Sequence, residues 1–214
     1  MALLFKPKKF DLPDKLILIP RFWDRDYFEK LKKDALASFE IVQNEFLFFD
    51  GYTIIEGFLG YPHIYATLEF INHVWDKDIF FLGTAGSMNE KIAHPMPLQV
   101  TKIYPTAIFN DFATEKYFEL KSFADCDFKK AVGVSVDMIQ RETDDWLKEQ
   151  KSKGIDFVEM EIFPLRVYLQ KSFSAIVIAS DILRAKGIDV FPDKKLLQRE
   201  FVRAYEFIVR SFDG

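Results

Sequence analysis

Cysteine is almost missing from this chain: Cys126 is the single one among 214 residues. An internal disulfide is excluded, and one thiol makes no metal site. Histidine is nearly as scarce. His63, His73 and His94 show no metal-ligand spacing such as His-x-x-x-His, so no metal is expected. Positive charge is not in excess, with 29 Lys and Arg against 33 Asp and Glu, a net charge of −4. That speaks against a nucleic-acid partner held by counterion release. Lysines do cluster at Lys6, Lys8 and Lys9 and at Lys30, Lys32 and Lys33. They read as a solvated terminus and a helix face. No apolar stretch is long enough to span a membrane, and no apolar N-terminal run precedes a small-residue cleavage site. The cytoplasm is the expected location. Repeats and Gly/Ser/Pro-rich linkers are missing too, and the length suits one domain over residues 1–214. Phenylalanine is abundant instead, at 24 residues, which implies an aromatic core but carries no chemistry.

Short apolar runs recur, each leading into a polar stretch. "KLILIP" precedes "RFWDRD", "DIFFLG" precedes "TAGSMNE", and "AVGVSV" precedes "DMIQRE". "IDFV" precedes "EMEIF", and "SAIVIA" precedes "SDIL". Such runs predict strands buried on both faces. Helical spacing lies between several of them. One helix is predicted from the cap Asp24 through "YFEKLKKDALASF", and one after Pro62. A third follows the cap Thr143 and stops at Gly154. A fourth holds Pro164 in its first turn, so Glu161 falls at its N-terminus. The last begins near Asp193. Asp50-Gly51 between two apolar runs is a hairpin signal, so the sheet should be mixed. The expected fold is α/β, a three-layer α/β/α sandwich with a central mixed β-sheet.

Open α/β sheets bind ligands beyond the carboxyl ends of their strands. The polar stretches should gather there and bring together Arg21, Asp24, Arg25 and Asp26, then Gly83, Thr84, Ala85, Gly86 and Ser87, then Glu159, Met160 and Glu161, then Ser180 and Asp181. Each has a plainer reading: a strand exit for Gly-Thr-Ala-Gly, a helix cap for Ser-Asp, a solvated face for Glu-x-Glu, a surface ion pair for Arg25.

Order and spacing add something further. "FFLGTAGSM", "VEMEIFPL" and "VIASDIL" resemble three blocks of the nucleoside phosphorylase and nucleosidase superfamily, and "GFLGYPHIYATLEFI" resembles the turn and helix before its glycine strand. The likeness spans roughly residues 16 to 210. It implies a nucleoside phosphorylase-like fold, a small-molecule nucleoside substrate, no cofactor and a homo-oligomer. Glu161 is then the carboxylate that accepts from the ribose hydroxyls, beside Met160 and Glu159. Asp181 is the proton donor to the departing base, and Ser180, Ala85, Gly86 and Ile139 lie at the base.

The same resemblance leaves the nucleophile open. The family's phosphorylases bind phosphate at a Gly-Asp-Pro-x-x-Arg turn, with a second arginine before the glycine turn. Here Arg25 falls on the first arginine, but Arg21, Phe22 and Trp23 replace Gly-Asp-Pro, and Phe81 takes the second arginine's place. Ala85 follows the family's nucleosidases, in which a first-turn carboxylate activates water. Asp26 or Asp24 is expected in that role. A phosphorylase would take phosphate as co-substrate and hold it with Arg25, Arg21 and Thr84. An inactive nucleoside-binding relative is the third reading. It suits "SVDMIQ", where Met138 and Ile139 stand in place of the family's stacking aromatic.

Overall fold

The computed structural model describes residues 10–41, 43–57, 60–92, 95–105, 116–137, 143–184, 187–191 and 193–212. The apolar runs form strands. β1 (Lys15–Ile19) pairs in parallel with β4 (Tyr52–Glu56) on one side and β5 (Asp78–Ser87) on the other. The hairpin of β3 (Asn44–Phe49) and β4 turns at Asp50-Gly51, where Gly51 takes a φ of +80° that side chains resist. β2 (Ala37–Ile41) adds to the β3 edge. Beyond β5 come β6 (Pro97–Pro105), β7 (Phe118–Glu119), β8 (Lys129–Ser135), β9 (Phe157–Glu159), β10 (Ser174–Arg184) and β11 (Gly187–Val190). Parallel and antiparallel pairs both occur, so the sheet is mixed. The strands β5, β9, β8, β6 and β10 pair in that order, and β10 pairs back onto β5, closing a ring.

Helices cover both faces. In β1, Leu16 and Leu18 enter a core shared with Ile64 and Leu68 of α2 (Gly60–Leu68) and Phe163 and Leu165 of α4 (Ile162–Leu169). Ile17 and Ile19 point the other way. They join Phe28 of α1 (Arg25–Asp34) and Phe201, Ala204 and Ile208 of α5 (Lys194–Arg210). A period of two along a strand buried on both faces gives this division, and the three-layer α/β/α sandwich results. α3 (Asp144–Ser152) covers a smaller cluster with Val134, Val136 and Val158. No helix among the described residues is long and apolar enough to cross a membrane.

The expected caps Asp24 and Thr143 are found, and α5 has one as well at Asp193. Asp24, Thr143 and Asp193 each accept a backbone N–H at the start of α1, α3 and α5. Three expectations need correction. The first helix stops at Asp34, Ala35 is extended, and Ala37 and Phe39 belong to β2. Gly-Thr-Ala-Gly is not a turn, since β5 runs through it to Ser87. Ser180-Asp181 does not end its strand either, since β10 continues to Arg184 and folds back as β11.

Candidate functional site

A cleft of about 360 Å³ opens where the ring meets the end of β1. Its walls are Pro20, Arg21 and Trp23 after β1, Thr84, Ala85 and Gly86 of β5, and Val136 after β8. Val158, Glu159, Met160 and Glu161 form the junction of β9 with α4, and Ser180, Asp181, Leu183 and Ile188 come from β10 and β11.

Asp181 owes its position to a bulge. Ala179 pairs with Ala85 and Asp181 with Gly86, so Ser180 is an extra residue in β10. A bulge of this kind re-aims the side chain that follows it. Ser180 Oγ donates to Asp181 Oδ1 at 2.6 Å and lies 3.4 Å from the Ala85 carbonyl. Burial raises the Asp181 pKa, and the Ser180 hydrogen bond opposes the rise. Gly86 leaves room for that carboxyl group. A Cβ there would stand 3.0 Å from Asp181 Oδ2 and 3.1 Å from Leu183 Cγ. Gly86→Ala is therefore expected to displace Asp181 slightly and to lower kcat by about tenfold, with KM and Tm little changed. Steady-state kinetics on a cleaved substrate checks this, and an unaltered kcat would show that the close approach is idle.

The junction of β9 with α4 carries two carboxyl groups with different contacts. Glu161 occupies the N-cap position of α4, yet its side chain makes no capping hydrogen bond. Glu159 does the capping. Its Oε2 accepts from the Glu161 and Ile162 N–H groups, both at 2.7 Å. Its Oε1 accepts from Ser135 Oγ, which in turn accepts from the Phe163 N–H at 3.0 Å. Glu159 is 4% exposed and Glu161 8%. Burial raises the Glu159 pKa, the Glu161 charge adds to the rise, and the hydrogen bonds oppose it.

Nine of the predicted residues meet at this cleft: Asp181, Ser180, Glu159, Met160, Glu161, Thr84, Ala85, Gly86 and Arg21. Five others do not line it: Gly83 and Ser87 of β5, and three charged residues at the start of α1. Asp24 Oδ1 accepts the Tyr27 N–H at 3.0 Å as a cap, Asp26 is exposed on the first turn of α1, and Arg25 Nη1 lies 2.5 Å from Glu56 Oε1. Ile139 and Met138 lie outside the described residues. Phe81 is fully buried in the core. Sequence reasoning missed Trp23, Val136, Leu183 and Ile188 on the walls, and Ser135 behind Glu159. Ser135 had one signal, its place at the end of the "AVGVS" run. Among the described residues, no group of three or more His, Cys, Asp or Glu is arranged to hold a metal ion.

Solved structures share this architecture. The 5′-methylthioadenosine/S-adenosyl homocysteine nucleosidase of Helicobacter pylori superposes with a TM-score of 0.71 at 13% identity, over 95% of this chain and 99% of that one. Purine nucleoside phosphorylase from Toxoplasma gondii, in complex with immucillin-H, gives 0.68 at 16%, over 95% and 94%. The fold is that of the nucleoside phosphorylase and nucleosidase superfamily. A futalosine hydrolase mutant of Helicobacter pylori shares this nucleoside phosphorylase-like fold, with a TM-score of 0.61 at 15%, over 96% and 99%. The sequence itself matches no protein-family model and no curated protein.

Proposed function

We propose that this protein hydrolyses the N-ribosyl bond of a purine-type nucleoside. One observation carries the reading: three carboxyl groups, Glu159, Glu161 and Asp181, converge on a cleft whose described lining has a single cationic side chain, Arg21, which is exposed. Breaking an N-ribosyl bond leaves the sugar cation-like and the base anion-like. The Glu161 carboxylate favours the first and repels a phosphate dianion. In this reading Glu161 accepts hydrogen bonds from the ribose hydroxyls, and Met160 packs on the sugar. Asp181 donates a proton to the departing base, which lies near Ser180, Ala85 and Gly86. Burial raises the Asp181 pKa, the direction a proton donor needs. Water adds to the sugar carbon and returns a proton, so that nucleoside and water give base and ribose. Glu159 touches no substrate here and holds the turn that carries Glu161.

Methylthioadenosine, adenosylhomocysteine and futalosine, named by the enzymes that share the fold, are the first substrates to try. Phosphorolysis is the second reading, favoured by Arg21 and Thr84 in the lining. Base release from a nucleoside panel, followed by chromatography with and without phosphate, separates them. Release without phosphate is expected. Release only with phosphate would transfer the assignment to phosphorolysis, and binding without release would make the protein a nucleoside-binding relative.

A further inference from the structure

A second polar corner lies at the start of α1, on the same turn that forms one wall of the cleft. Glu56 ends β4, in register with Ile19 at the end of β1. Its Oε1 accepts twice, from the Phe22 backbone N–H at 3.1 Å and from Arg25 Nη1 at 2.5 Å. A turn amide and a guanidinium converging on one oxygen is how proteins hold an oxyanion. Here the oxygen belongs to the chain itself. The Glu56 side chain is 12% exposed and that of Arg25 45%, so the carboxylate is sunk and the guanidinium faces solvent.

A plain ion-pair strut is the simpler account. Lys32 and Glu45 already tie α1 to the hairpin in that way, and an exposed pair of this kind adds about 0–1 kcal/mol. Two features exceed a strut. The Phe22 amide converges on the same carboxylate oxygen as the arginine. The Arg25 guanidinium also lies over the Phe28 ring at 4.4 Å, a contact that does not need Glu56. Phe22 and Phe28 are both fully buried, with ring centroids 5.4 Å apart. The core therefore holds both donors in place whether or not the carboxylate is present.

We infer that Glu56 is an internal anion filling an oxyanion site beside the cleft, and that it closes this corner to phosphate. The inference rests on the hydrolytic reading of the cleft and deepens it, since the corner lies on the turn that carries Arg21 and Trp23 of the cleft wall and Glu56 denies it to phosphate. With the carboxylate gone, the Phe22 amide and Arg25 are left to a dissolved oxyanion.

Isothermal titration of inorganic phosphate into the full chain tests this without any substrate. A protein that cleaved no nucleoside would fail the proposed function yet still decide this point. Wild type is expected to bind phosphate no more than weakly. Glu56→Ala should bind it at least about tenfold more tightly, and adding Arg25→Ala should abolish the gain. Glu56→Gln keeps the corner filled without the charge and should give a smaller gain; it also serves if the alanine variant does not fold. A folded variant binding phosphate no better than wild type would overturn the inference, as would a gain that survives the loss of Arg25.

Discussion

Asp181→Asn is expected to lower kcat/KM by about 10²–10⁴-fold while leaving the fold intact, the usual worth of a positioned proton donor. The amide keeps the shape of the carboxyl group and can still accept from Ser180 Oγ, so the bulge at Ser180 has no reason to rearrange. What is lost is the proton. Burial raises the Asp181 pKa, so the wild-type donor stays protonated to higher pH than an exposed aspartate would. The wild-type rate should therefore fall as pH rises through that raised pKa, and the variant's residual rate should lack this limb. A pH–rate profile on the cleaved nucleoside checks both effects. A variant as fast as wild type, with the same profile, would remove Asp181 from the chemistry.

The second large effect concerns stability. Glu159→Ala is expected to destabilise the protein by about 3 kcal/mol, because Ser135 Oγ and the Glu161 and Ile162 amides lose a buried acceptor. Each such loss costs about 1–3 kcal/mol, and the lower end applies because water can enter the truncated site. The sign of the pH dependence follows from the raised pKa. Between the unfolded and folded pKa values the native state binds more protons than the unfolded state. The stability contributed by Glu159 is then fully present below its unfolded pKa and is lost as pH rises through the folded value. Urea denaturation at a series of pH values should show that decline in wild type. Glu159→Gln, which cannot titrate, should flatten it, and equal slopes would mean that Glu159 is not the group responsible.

Much of this was legible in the sequence, for local reasons. A capping side chain, a proline in a first turn and a glycine at positive φ act within three or four residues, so Asp24, Thr143, Asp193, Pro164 and Gly51 announce themselves. The Glu159-to-Glu161 junction was legible for the same reason, because strand, proline and helix follow one another directly. Long-range pairing was not. The bulge at Ser180 depends on pairing with β5, some ninety residues earlier in the chain, and only the paired register reveals it. Likewise β6 carries prolines at both ends and polar residues within, and its strand character comes from β8 and β10. Asp24 illustrates a competition between two readings. As a helix cap it was visible from sequence, and the fold uses it so, which takes its carboxylate away from the cleft. Glu56 gave no local sign at all, since its partner Arg25 is thirty-one residues away.

The closed ring of β5, β9, β8, β6 and β10 sets how this site can fail. A ring has no free edge among its members, so no strand of it can be peeled off alone. Ser135, Glu159 and Asp181 sit on three of its staves. Heat or denaturant cannot loosen one of the three and leave the others in place. The pocket and the scaffold should be lost in one event, and a protease that nicks the outer hairpins at β2 or β11 would meet the ring still closed.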